Sequence, residues 1–329
     1  MRALVTGGGG FVGRYIVERL LSRGDSVRVL ARGRYPELEQ LGVEMVSGDL
    51  RDEAAVARAC AEQEAVFHTA ARVGLWGPWE EFYDINVRGT QHVLAGCRAH
   101  GVARLIYTST PSVVFDGRDQ RNANEAMPYP SRYSSYYPAT KAIAERAVIA
   151  ANGANRLLTT ALRPHLIWGP RDTHIIPQLL ARAKTGRLVM VGDGRNLVDM
   201  TYVENCADAH LLAADRLVPG SPVAGQVYFL SNGEPVRLWG FINQVLARLG
   251  VPTATRRVPA RLARMVGAGL EVLYRAGHLP GEPFITRFLA SELSTSHYYD
   301  ISKAKRDFGY VPKISMQEGL DRLAASCGC

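Results

Sequence analysis

Near its N-terminus the chain reads Thr6-Gly7-Gly8-Gly9-Gly10-Phe11-Val12-Gly13, between an apolar strand (Ala3–Thr6) and an amphipathic helix (Phe11–Arg23). The glycines fit both a G-x-G-x-x-G and a G-x-x-G-x-x-G spacing, and both end at Gly13. Glycines in this position let the backbone turn sharply and approach a pyrophosphate, which rests on the free N–H groups of the helix. The context therefore predicts a dinucleotide-binding loop, with a plain tight turn as the alternative.

Working outward from this loop, short apolar strands alternate with helical patterns through the first half of the chain. The predicted strands are Ala3–Thr6, Val27–Ala31, Val43–Ser47, Ala65–Thr69, Arg104–Ser109 and Leu157–Leu162, and the helices are Phe11–Arg23, Ala54–Ala61, Asn86–His100 and Tyr137–Ala151. Almost continuously apolar strands between helices are typical of a parallel sheet covered on both faces. We predict an α/β fold: a Rossmann-type doubly wound parallel sheet with a smaller, mostly helical C-terminal substrate portion.

The pattern loosens after Gly169, and this change predicts the domain organisation. Residues 1–170 are expected to form the NADP-binding Rossmann domain, to which residues 196–235 return. Residues 171–195 and 236–329 are expected to form the substrate-binding portion, over the sheet edge where ligands bind in such folds.

Composition excludes several classes of protein. The 329 residues are 47% hydrophobic and 21% charged, which is ordinary for a globular chain. The net charge of +8 is mild and basic clusters with aromatic residues are absent, so no nucleic-acid partner is expected. Cysteine is scattered except for Cys327 and Cys329 in a tail expected to fray, which predicts a reduced, cytoplasmic protein without a metal site. We see no leader and no spanning apolar run of ~18 residues.

The end of the second strand bears on the choice of cofactor. Enzymes that prefer NAD usually carry an acid there, whereas this chain reads Ala31-Arg32-Gly33-Arg34. An arginine guanidinium can donate two parallel hydrogen bonds to a phosphate, here the 2′-phosphate of the cofactor. Arg32 and Arg34 therefore predict NADP(H), with NAD(H) as the alternative cofactor. The alternative is that both are solvated surface arginines.

Three further residues are candidate cofactor contacts beside the glycine loop. Asp49 follows the third strand and could accept a hydrogen bond from the adenine amine, or be a simple turn residue. Leu50 beside it and Ala70 after the fourth strand complete this group. The loop contacts themselves are predicted to be Gly7, Gly10, Phe11, Val12 and Gly13.

Tyr137 and Lys141 are one helical turn apart, and a hydroxyl cluster, Thr108-Ser109-Thr110-Pro111-Ser112, precedes them at a strand end. A free phenol has a pKa of about 10. A neighbouring ammonium and a positively charged nicotinamide lower that pKa. Such a tyrosine can donate a proton to a ketone or take one from an alcohol while a second hydroxyl holds the oxygen. The spacing therefore predicts a site for ketone and alcohol redox chemistry.

Over nearly its whole length the chain resembles the extended short-chain dehydrogenases/reductases. Besides the glycine loop and the Tyr–Lys pair, the shared motifs are Asn86-Val87-Arg88-Gly89-Thr90, Arg163-Pro164, Trp168-Gly169-Pro170 and Asp300-Ile301-Ser302-Lys303-Ala304. The resemblance implies a homodimer paired through the helices predicted over Asn86–His100 and Tyr137–Ala151.

The same resemblance implies the role of each site residue. Tyr137 is the catalytic acid/base, and Lys141 binds the nicotinamide ribose. Thr110 is the second catalytic hydroxyl, a role that Ser109 or Ser112 could take instead. Two residues contact the nicotinamide amide through backbone atoms, Pro164 and His165.

Within that superfamily the chain is similar to the branch of 3β-hydroxysteroid and sterol-4-carboxylate dehydrogenases, through the stretches 68–77 and 107–115. Patterns at 32–38, 110–113 and 231–235 resemble the bacterial ketoreductases of long-chain olefin biosynthesis. This implies NADPH-dependent reduction of a long-chain 2-alkyl-3-oxo acid, with oxidation of a 3β-hydroxysteroid or sterol-4-carboxylate as the alternative. A non-catalytic NADP(H) sensor or scaffold is disfavoured because such proteins typically lose the tyrosine or the lysine.

Several apolar and polar residues are candidate contacts for a lipophilic keto acid or sterol-like substrate. An apolar stripe is predicted to cover the hydrocarbon: Leu262, Met265, Val266, Leu270 and Leu273, with Phe284, Ile285, Phe288 and Leu289 after it. Alternatively the stripe packs on the core, or it faces a membrane, because Arg261, Arg264 and Arg275 lie off it.

Trp76 and Trp79 could cover the substrate or pack in their loop. His165 and His174 could contact the substrate carboxylate. Peripheral contact of the protein with a membrane or with another enzyme of its pathway is a further alternative.

Overall fold

The core of the protein is a seven-stranded sheet in a computed structural model that describes residues 1–327. The strands of the chain are β1 (Arg2–Thr6), β2 (Ser26–Ala31), β3 (Glu44–Ser47), β4 (Ala65–His68), β5 (Arg104–Thr108), β6 (Gln120–Ala123), β7 (Leu158–Pro164), β8 (Ile167–Trp168), β9 (Met190–Val191), β10 (Leu197–Val198), β11 (Thr201–Tyr202), β12 (Gln226–Leu230), β13 (Val236–Arg237), β14 (Arg257–Val258) and β15 (His297–Tyr299). The main sheet has the order β12-β7-β5-β4-β1-β2-β3, and its strands are all parallel.

Helices connect these strands. They are α1 (Phe11–Ser22), α2 (Pro36–Glu39), α3 (Glu53–Cys60), α4 (Trp79–Phe82), α5 (Gly89–Ala99), α6 (Tyr136–Ala150), α7 (Ile175–Lys184), α8 (Val203–Arg216), α9 (Leu238–Arg248), α10 (Ala260–Ala276), α11 (Arg287–Glu292), α12 (Ser302–Phe308) and α13 (Met316–Ser326). A π-helical turn, Tyr83–Arg88, leads into α5, and short 3-10 helices cover Pro111–Val114 and Ala154–Arg156. Within residues 1–327, no helix is both long and apolar enough to cross a membrane.

Both faces of the main sheet are covered. On one face, α1, α8 and α12 bury side chains such as Ile16, Ala207 and Phe308 against the strands. On the other face, α3, α5 and α6 bury side chains such as Val56 and Val93. Because both faces are buried, a strand such as β4 is buried at every residue, which explains why Ala65, Val66 and Phe67 are consecutive apolar residues. The predicted doubly wound α/β fold is confirmed.

A second apolar core lies in the C-terminal part of the chain, around Trp168, Met190, Trp239 and Leu320. Short strands accompany it, in a four-stranded sheet (β13-β10-β15-β6) and two strand pairs (β11-β8 and β14-β9). The sequence did not predict most of these strands, because strands of two to four residues carry too little periodicity.

The chain crosses between the two cores more often than the predicted domain boundaries imply. Helix α8 and strand β12 lie on the main sheet, in the segment expected to return there. Residues 301–310, which we assigned to the substrate portion, also pack on that sheet through Ile301 and Phe308. The division of the chain into two portions stays a prediction. Cys329, and with it the predicted fraying of the tail, lies outside the described residues.

Candidate active site

A cleft of about 1750 Å³ opens beyond the carboxyl ends of the parallel strands. It spans the point between β1 and β4 where the strand order reverses, the usual binding position in such sheets. Its walls contain nearly all the predicted site residues: Gly7, Gly10, Phe11, Val12, Gly13, Arg32, Asp49, Leu50, Ala70, Thr110, Tyr137, Lys141 and Pro164. His165 does not line it. The fold therefore brings together side chains from loops that are far apart in sequence.

The glycine loop is built for close approach of backbone to a ligand. Gly7 has φ +72°, and a Cβ there would lie 2.9 Å from Ala70 Cα, so neither the conformation nor the space admits a side chain. A Cβ at Gly13 would lie 2.2 Å from the Gly7 carbonyl oxygen, so the loop and α1 touch directly. Helix α1 begins after Gly10 without a side-chain cap, which leaves first-turn N–H groups for an anion. The loop fits the pyrophosphate of a dinucleotide.

The structure separates the two predicted phosphate-binding arginines. Arg32 lines the cleft with its side chain 71% exposed, whereas Arg34 is exposed outside it. Arg51, which the sequence analysis missed, also lines the cleft. Its guanidinium donates to Asp49 at 3.0 and 2.8 Å, and this hydrogen bonding holds the pKa of Asp49 below its usual value. The Asp49 carboxylate predicted to bind adenine is thus engaged by Arg51, and the guanidiniums at this end are Arg32 and Arg51.

Tyr35 is a second residue that the sequence analysis missed. Its ring lies across the glycine loop, and a Cβ at Gly9 would come within 2.2 Å of Tyr35 Cζ. Tyr35 lines the cleft, so its ring closes one side of the predicted dinucleotide position. The pattern Arg34-Tyr35-Pro36 gives no local signal of this contact, because the approach depends on how β2 and α1 pack.

The Tyr137 phenol carries its proton near neutral pH. Tyr137 is partly open to the cleft, yet burial by surrounding protein raises its pKa to about 12, against the opposing effect of a hydrogen bond with Thr110. We expected the Lys141 ammonium to lower this pKa. Lys141 Nζ instead donates to the Thr108 carbonyl oxygen at 2.6 Å, so desolvation decides the direction. A protonated phenol beside a hydroxyl is suited to donate to a ketone oxygen.

Lys141 lines the cleft but is almost entirely buried. Its ammonium lies 4.1 Å from the centre of the Tyr107 ring, and burial lowers its pKa to about 7, although Glu145 opposes that change. Lys141 therefore loses its charge close to physiological pH, unlike an exposed lysine.

Glu145 continues the face of α6 that carries Tyr137 and Lys141, one further turn along. It is fully buried and accepts hydrogen bonds from Arg163 Nη2 at 2.6 Å and Nε at 2.9 Å, and from the Tyr129 hydroxyl at 2.6 Å. Arg163 belongs to β7 and immediately precedes Pro164 in the cleft wall. The buried ion pair thus fixes α6, which presents Tyr137, against β7, which ends at Pro164 in the cleft wall.

Asn86 lies in the π-helical turn and joins the cleft to α6. Its side chain accepts from the Arg72 N–H at 2.7 Å and donates to the Arg72 carbonyl oxygen and to Thr140 Oγ1, each at 3.1 Å. Turns of this type are frequent at functional sites because they re-aim one side chain within a helix. Here the turn holds the loop of Arg72, which lines the cleft, against α6.

His165 lies behind the cleft wall. Its Nδ1 is 2.7 Å from Asp199 Oδ1, its Nε2 is 3.0 Å from His297 Nδ1, and its N–H donates to the Leu230 carbonyl oxygen. The next residue, Leu166, has φ +39° and lines the wall, and a backbone contact of His165 with nicotinamide stays a prediction. Donor atoms of His165, His297 and Glu292 lie within 4.8 Å of one another, but hydrogen bonds engage the ring nitrogens and we assign no metal to them.

The two candidate roof residues pack outside the main cleft. Trp76 makes an edge contact with Tyr274 and lies under Arg275, and Trp79 contacts Tyr136 and Tyr83. Loop packing, the alternative given for both, is what the structure shows. His174 does line the cleft, as a substrate contact would.

A Rossmann sheet whose glycine loop shares one cleft with a Tyr–Lys pair on a helix defines an NAD(P)-dependent oxidoreductase of the short-chain dehydrogenase/reductase type. The chain belongs to the 3-beta hydroxysteroid dehydrogenase/isomerase family, whose model matches residues 4–260. Both the superfamily and the branch predicted from sequence are thereby confirmed.

The chain is similar to two kinds of named enzyme. A 2-alkyl-3-oxoalkanoate reductase of Stenotrophomonas maltophilia is 49% identical over 99% of each chain. A mouse (Mus musculus) sterol-4-alpha-carboxylate 3-dehydrogenase, decarboxylating, is 36% identical over 99% of this chain and 90% of its own. Among solved structures, a double mutant of the dTDP-glucose 4,6-dehydratase DesIV from Streptomyces venezuelae, with NAD and DAU bound, is 25% identical with a TM-score of 0.77, covering 99% of this chain and 96% of its own.

Proposed function

We propose that the protein is an NADPH-dependent reductase that converts a long-chain 2-alkyl-3-oxoalkanoate to the 2-alkyl-3-hydroxyalkanoate. The observation that carries this proposal is the Tyr137 phenol placed beside the Thr110 hydroxyl, in a cleft whose far walls are apolar. The full-length similarity to a 2-alkyl-3-oxoalkanoate reductase supports the same substrate class. The direct test is a steady-state assay with NADPH and a 2-alkyl-3-oxo acid, run beside NAD with a 3β-hydroxysterol acid.

The reaction adds a hydride and a proton across the ketone. When bound along the glycine loop, the dinucleotide supplies the hydride to the carbonyl carbon. Tyr137 donates its phenolic proton to the carbonyl oxygen, and Thr110 holds that oxygen by a hydrogen bond as negative charge develops on it. Lys141 binds the nicotinamide ribose, the role that the resemblance implies for it, and Pro164 and Leu166 line the same cleft.

Cofactor choice follows from the end of β2. We expect a higher kcat/KM with NADPH than with NADH, because Arg32 and Arg51 present guanidiniums where a 2′-phosphate would lie. Arg32→Ala should reduce this preference about tenfold, the worth of one charge-assisted hydrogen bond. Ala31→Asp should invert it, because a carboxylate repels the phosphate and accepts from a 2′-hydroxyl.

The matched control for cofactor choice is Arg34→Ala, which removes the same charge outside the cleft. It should leave the ratio of kcat/KM values unchanged. If the wild type uses both cofactors equally and Arg32→Ala leaves this unchanged, these arginines are only solvated surface residues.

Chain length should govern activity, because apolar side chains form the far wall of the cleft. They include Leu262, Val266, Ile285, Phe288 and Leu289. Each methylene that is buried contributes about 0.8 kcal/mol, so kcat/KM should rise a few-fold per added methylene until the wall ends. Val266→Asp should abolish this gain for long substrates and spare short ones.

Met265→Asp is the control for the wall, since Met265 neighbours Val266 on α10 but is 70% exposed and outside the cleft. This placement corrects the expectation that Met265 covers the substrate. A flat chain-length profile, or a uniform loss that tracks a lowered melting temperature, would contradict an apolar acyl site.

The Lys141 pKa of about 7 predicts a pH dependence of cofactor use. Burial depresses this pKa, so the ammonium exists below about pH 7 and is lost as pH rises through that value. Because the dinucleotide is anionic, kcat/KM for NADPH should fall across this range. Lys141→Met should give a low, flat profile, whereas Lys303→Met, which removes a half-buried lysine outside the cleft, should keep the wild-type profile. A wild-type profile that is flat from pH 6 to 9 would contradict this role.

Oxidation of a 3β-hydroxysterol-4-carboxylic acid is the second candidate, favoured by the full-length similarity to the mouse enzyme. Both substrates present an oxygen at one end of an apolar body, so the cleft suits either. Higher kcat/KM with the sterol acid and NAD in the paired assay would replace the reductase proposal.

A homodimer through α5 and α6 stays a prediction, and light scattering tests whether the protein is a dimer.

A further inference from the structure

Helix α10 turns its apolar stripe outward instead of into the core. The residues of α10 that are buried are Ala263, Gly267 and Glu271, one turn apart along a single narrow face. On the opposite side lie exposed apolar side chains, the outer face of α10: Leu262, Met265, Val266, Val272 and Leu273. Met265 and Val272 are 70% and 67% exposed, and Phe284 beyond the helix is 65% exposed. An amphipathic helix in a globular protein normally shows the reverse arrangement.

The exposed charge on this segment has one sign. Between residues 256 and 278 the basic side chains are Arg256, Arg257, Arg261, Arg264 and Arg275. Glu271 is the acid in that range, and it is buried against Arg287 at 2.7 Å. Arg275 also lies over the rings of Trp76 and Tyr136. The outer face is therefore an apolar strip with an arginine flank.

The outer face is continuous with the candidate active site. Leu262 and Val266 line the cleft from one side of α10, and Phe284 lines it from the following loop. A lipophilic molecule at the outer face would thus lie next to apolar side chains that also form the cleft wall.

We infer that the outer face of α10 binds an anionic lipid surface. A helix with one apolar strip and basic flanks lies in the membrane interface, with its apolar side in the acyl boundary and its arginines at lipid headgroups. At 17 residues α10 is about 25 Å long, enough to lie along a bilayer surface. A second copy of the chain fits this strip less well, because it would bring the same arginines together.

Vesicle co-sedimentation tests this binding with the full-length protein and no substrate. Wild type should bind vesicles of phosphatidylcholine with phosphatidylglycerol more tightly than phosphatidylcholine alone, and salt should weaken the binding. Met265→Glu with Leu273→Glu should lower the partition coefficient about tenfold or more. Arg261→Gln with Arg264→Gln should lower it about tenfold on the anionic vesicles and little on the neutral ones.

The matched control is Val218→Glu with Val311→Glu. These valines are 47% and 63% exposed on other surfaces, so the pair makes the same chemical change away from α10 and should bind like wild type. Failure of wild type to bind anionic vesicles would overturn the inference, as would equal losses in the two glutamate pairs. Light scattering that showed a wild-type dimer dissociated by Met265→Glu with Leu273→Glu would assign the face to a second copy instead.

A fluorescently labelled protein provides a second test that does not depend on the folding of the variant with Met265→Glu and Leu273→Glu. Cys327 is exposed whereas Cys60, Cys97 and Cys206 are buried, so the variant for labelling combines Met265→Cys with Cys327→Ser and Cys329→Ser. An environment-sensitive fluorophore there should shift to the blue on anionic vesicles, and an unchanged spectrum would overturn the inference. Because these readouts need neither NADPH nor keto acid, they stand or fall separately from the proposed reductase activity.

Discussion

Replacing Tyr137 with phenylalanine should lower kcat for ketone reduction by roughly 10²–10⁴-fold, the typical contribution of a positioned acid. The variant loses only the phenolic hydroxyl, which carries its proton near neutral pH because burial raises the pKa of Tyr137 to about 12. NADPH affinity, measured by fluorescence titration, should stay close to that of wild type. The loss should therefore appear in kcat and not in cofactor binding.

The control for this result is Tyr136→Phe, which removes a hydroxyl from the neighbouring residue of α6. Tyr136 is 37% exposed and outside the cleft, so its variant should keep wild-type turnover. A purified Tyr137→Phe protein with kcat within a few-fold of wild type would assign the proton donor to another group.

Glu145→Gln should destabilise the protein by about 3 kcal/mol or more, because it leaves the Arg163 guanidinium buried without its counter-charge. The carboxylate is fully buried, and its oxygens lie 2.6 and 2.9 Å from Arg163 nitrogens. For a chain of this size the melting temperature should fall by roughly 5–10 °C. Urea unfolding and thermal melting measure the effect.

Glu18→Gln provides the comparison, since Glu18 also sits on a helix and pairs with arginines but is 31% exposed. Its variant should lose at most about 1 kcal/mol, as exposed ion pairs do. Equal destabilisation by the two variants would show that the Glu145–Arg163 pair has no special role in fixing α6 against β7.

Residues in the glycine loop and at strand ends were predictable because local spacing encodes their position. The order strand, glycine loop, helix places Gly7 and Gly13 beside a helix N-terminus in any parallel sheet. Likewise, the carboxyl ends of parallel strands meet at one edge, which brings Thr110 and Pro164 into the cleft that Tyr137 faces. The fold, and the position of nearly every candidate site residue in the cleft, follow from such local rules.

Features that depend on what packs against a side chain were not predictable. Arg51 lines the cleft because the loop after β3 brings it beside Asp49, whereas Arg34 is exposed outside the cleft. His165 follows the same strand as Pro164, yet its side chain lies behind the wall with Asp199. Both outcomes depend on contacts between segments far apart in sequence.

The sequence by itself determined the class of fold, the family and the residues able to carry the chemistry, because glycine spacing, strand alternation and the Tyr–Lys interval are properties of neighbouring residues. Tertiary structure alone decided the protonation of Tyr137 and Lys141, since desolvation depends on atoms from the whole fold. It also decided that the stripe of α10 faces outward. Periodicity identifies an apolar face but does not say what covers it, and here the core contacts fall to Ala263, Gly267 and Glu271 on the other side of the helix.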